Sequence, residues 1–247
     1  MPRESSSLDQ LAPTGRLRVA VAVAPAPSAF FATKDPVSGA PRGVTVELGR
    51  ALADELKLPL AFVVYPNSGE LTDAAASGAW DVSFMPQDAE RAKKVDFGPA
   101  YYFIESTYLV PAGSTIKSIE EVNRPGVRII GIFNTTTARS ARRTAPDASV
   151  EEVRSVDEMT ELARTGRGDA FALSHDAFAG LLAKLPGARV LPGHFQSVGI
   201  AVAVPKGRAA ALALVSAFIE RAKESGLVRR ALENAGIRVA PVAQPTN

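Results

Sequence analysis

An arginine that opens a helical turn just beyond a strand is placed to hold an anion. The stretch FMPQDAERAKKVDFGPAYY, covering Phe84–Tyr102, has that pattern. WDVSFM predicts a strand over 80–85, Asp88 reads as the N-cap that follows it, and Arg91 falls in the first helical turn. A cation there works against the helix dipole, so its position asks for a reason. A guanidinium can grip a carboxylate with two parallel hydrogen bonds. The same spacing also fits a surface salt bridge to Asp88 or Glu90, and the residues alone leave both readings open. Arg91→Ala is expected to abolish ligand binding and leave the melting temperature of the empty protein nearly unchanged; a collapse of its stability would make Arg91 structural.

Other chemistry is not signalled. G-x-S-x-G, H-E-x-x-H, Walker A and G-x-G-x-x-G motifs are missing, and GRGDA holds two glycines without the rest of a dinucleotide loop. No cysteine occurs, which excludes disulfides, thiolate nucleophiles and cysteine metal sites. The two histidines, His175 and His194, are too few for a histidine cluster, and no EF-hand spacing appears. The reading is therefore no catalytic residue, no metal and no cofactor. Net charge is only +2 among 247 residues, which argues against a nucleic-acid partner. No run approaches the roughly 18 apolar residues of a membrane span, so no membrane insertion is expected. MPRESSSLDQLAPTG lacks the apolar core of a signal peptide, which leaves a cytoplasmic chain or one whose signal was removed.

The elements that must position Arg91 alternate. Leu17–Val23 (LRVAVAV) reads as a buried strand, 44–57 as an amphipathic helix, Leu60–Tyr65 (LAFVVY) as a strand, and 69–77 as a helix stopped by Gly78. Val127–Ile132 (VRIIGI) opens a second such series. Helices over 134–144, 155–166 and 176–184 follow, with strands at 169–173 and 188–191. A strand over Val198–Pro205 and helices over 207–225 and 227–235 complete the chain. This alternation predicts an α/β fold with mainly parallel sheets. Residues 1–14 and 241–247 read as flexible termini. Glu70–Phe84 (ELTDAAASGAWDVSF) and Glu158–Ala172 (EMTELARTGRGDAFA) align without a gap. Each supplies a helix, a glycine turn and an Asp-led strand, which points to two lobes of like design or to convergence on one turn chemistry.

The segments GRLRVAVAV, RGVTVELGRALADEL, LTDAAASGAWDVSFM and ERAKKVDFGPAYY resemble the bacterial extracellular solute-binding proteins, family 3. The likeness continues through VRIIGIFNTTT, TGRGDAFALSHD and GIAVAVPKG, over roughly residues 15–237. It implies a periplasmic-binding-protein-like type II clamshell of two α/β lobes joined by two crossing hinge strands. Lobe 1 would comprise 15–103 and 198–240 and lobe 2 would comprise 107–194, with hinges near 103–106 and 195–197 and the ligand in the crevice. The loops after strands 19–23, 127–132 and 169–173 would line that crevice.

By the resemblance, Arg91 matches the arginine that holds the ligand's α-carboxylate, and Thr136 a threonine that meets the same group. Asn134 and Thr135 open that helix, Asn134 as a ligand contact or only as the N-cap. Phe30 lies where an aromatic ring commonly covers the ligand, with core packing as its alternative. Phe84 and Met85 would wall the pocket. Where family members usually present an acid to the ligand's ammonium, this chain has Ser174; Asp176 or Glu105 would have to substitute. His175 either faces the ligand or serves a surface or capping role. The implied partners are a small carboxylate-bearing solute and an ABC permease, with a monomeric protein in the periplasm. The same scaffold also resembles cyclohexadienyl dehydratase, a lyase, and a sensor without a transporter is the third reading.

Overall fold

A computed structural model describes residues 7–23, 30–237 and 243. Along the chain the first elements are α1 (Ser7–Leu11), β1 (Leu17–Ala22), β2 (Thr33–Lys34), β3 (Pro41–Arg42), α2 (Val44–Leu56), β4 (Leu60–Tyr65), α3 (Ser68–Asp73), β5 (Val82–Pro86) and β6 (Val95–Val110). There follow β7 (Arg128–Ile132), α4 (Thr136–Thr144), β8 (Ser149–Val153), α5 (Val156–Arg164), β9 (Ala170–Ser174), α6 (Phe178–Leu182) and β10 (Arg189–Val190). The last are β11 (Gln196–Pro205), α7 (Ala209–Glu224) and α8 (Leu227–Asn234). Two compact units result: Met1–Phe103 with Gly199–Asn247, and Ile104–Val198. The chain leaves the first unit along β6 and returns along β11.

In the first unit β1 pairs in parallel with both β4 and β5, and β11 runs antiparallel to β5. α2 buries Val44, Leu48 and Leu52, three apolar residues spaced four apart that form a single stripe. Gly49 lets this helix sit close on the sheet, since a Cβ there would lie 2.9 Å from Val19 Cγ1. α3 starts at Asn67, whose side chain accepts the Glu70 N–H at 2.8 Å. A 3-10 turn over Ala74–Ser77 continues it to Gly78, whose φ of 70° suits a residue without a Cβ. Leu71, Trp80, Met85 and Val95 pack beneath, and the Trp80 indole donates to the Leu71 carbonyl at 3.0 Å.

The second unit carries β7 in parallel with β8 and β9, with β6 antiparallel to β9 and β10 antiparallel to β6. One face of this sheet packs Ile130, Ile132, Phe171 and Leu173 against Met159, Leu162 and Phe178. The other face packs Ile129, Ala170 and Ala172 against Ala141, Ile116 and Val122. Alternation along β7 and β9 assigns consecutive residues to the two faces.

Two expectations need correction. Residues 7–11 are a helix rather than a loose lead-in: Leu11 is fully buried, and Gln10 Oε1 accepts the Ala210 N–H of α7 at 3.1 Å. β8 was not expected, because SVEEV is an edge strand with half its residues facing water. Of residues 238–247 only Ala243 is described, and its N–H donates to the Tyr101 carbonyl at 2.9 Å.

Candidate functional site

β5 delivers Arg91. It runs parallel to β1 and ends at Pro86, and the chain then turns through Gln87–Glu90 into a single 3-10 turn, Arg91–Lys93. The Asp88 carboxylate accepts the Arg91 backbone N–H at 2.9 Å, the capping role its position suggested. Its other oxygen lies 3.6 Å from Arg91 Nε. Arg91 Nη2 donates to Ser68 Oγ at 2.8 Å, and Nη1 to the Pro86 carbonyl at 3.3 Å. The residue is only 3% exposed, so it is no surface ion-pair arginine. Burying a guanidinium is costly unless its donors are met, and Ser68, the Pro86 carbonyl and the nearby Asp88 carboxylate are among the groups that meet them. Ser68 escaped the sequence reading because it lies 23 residues away, at the start of α3.

The alternation of β5 separates the two residues expected to wall a pocket. Met85 is 1% exposed in the core with Leu71 and Trp80, its sulfur accepting from Thr72 Oγ1 at 3.7 Å. Phe84 points to the other face and meets Tyr101 edge-on at 5.9 Å. Phe30 is partly exposed and stacks on Tyr102, ring centres 5.0 Å apart. The loop expected to line the ligand after β1, residues 24–29, lies outside the described residues.

In the second unit, β7 ends at Ile132 and delivers Asn134–Thr136. Thr135 is the N-cap of α4: its hydroxyl accepts the Ala138 N–H at 3.1 Å and donates to the Ile132 carbonyl at 2.8 Å. Asn134 is therefore not the cap. It takes a left-handed conformation, φ 56°, and its side-chain oxygen accepts from Arg139 Nη1 at 3.0 Å. Thr136, the first helical residue, is 6% exposed, and Thr137 shares a hydroxyl hydrogen bond of 3.0 Å with Ser106. Ser106 faces Ser174 in register across β6 and β9. The first turn of α4 carries no acidic residue, although Glu152 Oε2 accepts the Asn134 N–H just before it at 3.4 Å.

Past Ser174 comes the 3-10 turn His175–Ala177, which holds Asp176. His175 Nε2 lies 3.3 Å from the Gly193 carbonyl, and His194 Nδ1 lies 3.4 Å from Glu105 Oε1. Glu105, His175 and His194 are thus engaged within the second unit. A cavity of about 670 Å³ in this unit holds none of the expected site residues. Val127 and Asp169 place it at the amino ends of β7 and β9, whereas Asn134 and Ser174 stand at the carboxyl ends.

Two α/β units, the second inserted into the first, each carrying polar groups at the carboxyl ends of parallel strands, define the type II periplasmic-binding-protein-like fold. The ancestral amino acid-binding protein described as a precursor of cyclohexadienyl dehydratase shares that fold. It is 29% identical, with a TM-score of 0.76 over 93% of this chain and 99% of that one. The L-cysteine solute receptor of Neisseria gonorrhoeae matches with a TM-score of 0.80 at 24% identity, over 96% and 99% of the two chains. The chain belongs to the bacterial extracellular solute-binding proteins, family 3, whose pattern it matches over residues 17–234. The glutamine-binding protein of an ABC transporter in Bacillus subtilis is 27% identical over 204 residues, 80% of this chain and 73% of that protein. A glutamine-binding protein of Geobacillus stearothermophilus is 28% identical over 178 residues, 68% and 65%. These two relatives are named as binding proteins, and the chain belongs with them among the solute-binding proteins of this family.

Proposed function

We propose that the protein binds a small carboxylate-bearing solute, an amino acid or related organic acid, and delivers it to an ABC permease from the periplasm. The observation that carries this reading is Arg91: a buried arginine at the carboxyl end of a parallel strand, oriented by Ser68, the Pro86 carbonyl and Asp88. In this reading its guanidinium takes the solute's carboxylate. Thr136, Thr135 and Asn134, with the amino end of α4, serve the same solute from the second unit. Phe30, Phe84 and Ser174 are the proposed neutral contacts, whereas Met85 lies in the core on the opposite face of β5.

Magnitudes agree with a modest affinity. A charge-assisted hydrogen bond contributes about 1.5–3 kcal/mol net. A micromolar complex needs about 8 kcal/mol. A paired grip, a helix amino end and some apolar burial reach that sum.

Calorimetric titration with amino acids and simple carboxylates tests the reading. Because Arg91 is buried and hydrogen-bonded, Arg91→Ala should disturb the empty protein as well, contrary to the expectation of a nearly unchanged melting temperature. Arg91→Lys is the better variant, since it keeps the charge and removes the planar fork. Affinity should fall at least about tenfold, one charge-assisted bond's worth, with the empty protein's melting temperature held within a few degrees. An Arg91→Lys protein that binds as tightly as the parent would remove Arg91 from the grip. Stimulation of a reconstituted permease's ATPase by the loaded protein tests the delivery role.

A further inference from the structure

Beside the candidate carboxylate-binding end of α4 stands a second cation that the proposed grip does not use. Phe133 directly follows β7 and directly precedes Asn134, and 47% of it is exposed, unusual for a ring at a strand end. The backbone fixes its position, since its N–H donates to the Val153 carbonyl at 2.8 Å. Arg154, the residue after β8, lays its guanidinium over this ring at 5.0 Å from the centroid. β7 and β8 are parallel neighbours, so both residues emerge at the same carboxyl edge.

Arg154 makes no ion pair among the described residues, although two carboxylates are near in the chain. Glu152 is taken by Arg142, and its other oxygen accepts the Asn134 N–H at 3.4 Å. Glu158 accepts the backbone N–H of Arg154 itself at 2.9 Å, while its own N–H is capped by Ser155. An arginine on a solvated face is ordinarily free to swing toward such acids. Here the ring holds it by cation–π attraction, at the edge from which the chain enters Asn134–Thr136. A guanidinium drawn over an aromatic face by its positive charge leaves its N–H groups available to a planar anion.

We propose that Phe133 and Arg154 form a recognition element for a second anionic group, so that the protein selects solutes with a distal carboxylate over their neutral analogues. This rests on the reading that the solute meets the amino end of α4. Arg154 then receives the solute's far end, and Phe133 fixes the arginine in place and offers apolar contact along the intervening methylenes. The class selected is the small dicarboxylate, with or without an amino group.

The experiment is calorimetric titration of the parent protein, Arg154→Gln and Phe133→Leu with two matched pairs: L-glutamate against L-glutamine, and glutarate against its monoamide. The parent should prefer the dicarboxylate of at least one pair by about tenfold, as expected for one charge-assisted contact. Arg154→Gln should erase that preference while leaving the neutral analogue's affinity within about twofold. Phe133→Leu should weaken the preference partway, because it removes the ring and keeps the bulk. A parent that binds the neutral analogues as well as or better than the acids overturns the proposal and leaves the carboxylate reading standing. So does an Arg154→Gln protein that keeps the preference. Failure of the parent to bind any of the four compounds overturns it too; if other carboxylates bind with Arg91 dependence, the broader reading survives.

Discussion

Arg18 and Asp81 are joined three times: the Arg18 Nε donates to Oδ2 at 2.9 Å, Nη2 to Oδ1 at 2.6 Å, and the Arg18 backbone N–H to Oδ2 at 3.0 Å. The remaining arm, Nη1, donates to the Gly78 carbonyl at 2.6 Å. Arg128 and Asp169 repeat the arrangement in the second unit, with contacts of 2.9, 3.0 and 2.8 Å and a fourth to the Gly166 carbonyl at 2.9 Å. Gly78 and Gly166 turn with φ of 70° and 68°. Each aligned stretch thus supplies the carboxylate and the glycine carbonyl of the same kind of clamp, and an arginine outside it closes the clamp, tying the start of one strand to the turn that leads into its neighbour.

The two clamps differ in burial, and their removal should differ accordingly. Asp81 is completely buried and also meets Arg208 Nη1 at 3.3 Å. Asp81→Ala leaves two arginines without their carboxylate and should cost about 3 kcal/mol or more. Arg128 and Asp169 are 46% and 35% exposed, so Asp169→Ala should cost about 1 kcal/mol or less. Urea unfolding of the two variants gives the comparison; equal losses would mean that burial does not set the difference.

Acid should weaken the fold through Asp96 and Asp169. Hydrogen bonding from the Lys206 ammonium, at 2.6 Å, holds Asp96 below the usual carboxylate range, helped by the Gly207 N–H and opposed by burial. Arg128 does the same for Asp169. A depressed folded pKa gives stability that is present above the unfolded value of about 3.9 and is lost as pH falls through the folded one. Unfolding free energy should therefore drop on acidification below about pH 4. Asp96→Asn should show a shallower acid decline in urea titrations across that window.

Leu11→Ala should cost about 2–5 kcal/mol, the range for a buried leucine whose site cannot fully collapse. Thermal unfolding measures it. A loss under about 0.5 kcal/mol, typical of an exposed position, would show that α1 adds little to the first unit.

Lys57 ends α2 in a left-handed conformation, φ 53°, where a side chain is strained. Lys57→Gly should raise stability by about 0.5–1 kcal/mol if relief of strain exceeds the entropy glycine adds to the unfolded chain. A lowered melting temperature would give the entropy term the larger share.

Legibility in the sequence followed burial. Leu60–Tyr65 is a strand over the expected residues, and Gly78 is the expected stop, because apolar runs and left-handed glycines are local signals. β8 was silent because an edge strand of Ser, Val and Glu has no such run. α1 was missed because its anchor, α7, lies about 200 residues onward, as the Gln10–Ala210 bond shows. At the candidate site, the Asp88–Arg91 turn was readable from spacing. Of the two readings left open for Asn134, the N-cap one falls to Thr135 instead, since both are good caps and only backbone geometry separates them. Ser68 and the Phe133–Arg154 contact join positions far apart in sequence, and no local pattern announces such pairs.

That the second unit interrupts the first has a consequence for biosynthesis. β11 is the antiparallel neighbour of β5, and α7 carries the surface on which α1 packs. A nascent chain therefore holds an unfinished first sheet, with one edge of β5 open, while residues 104–198 emerge as one unbroken run. The half that begins first must finish last, and until then its open strand edge is the part of the molecule most in need of a chaperone.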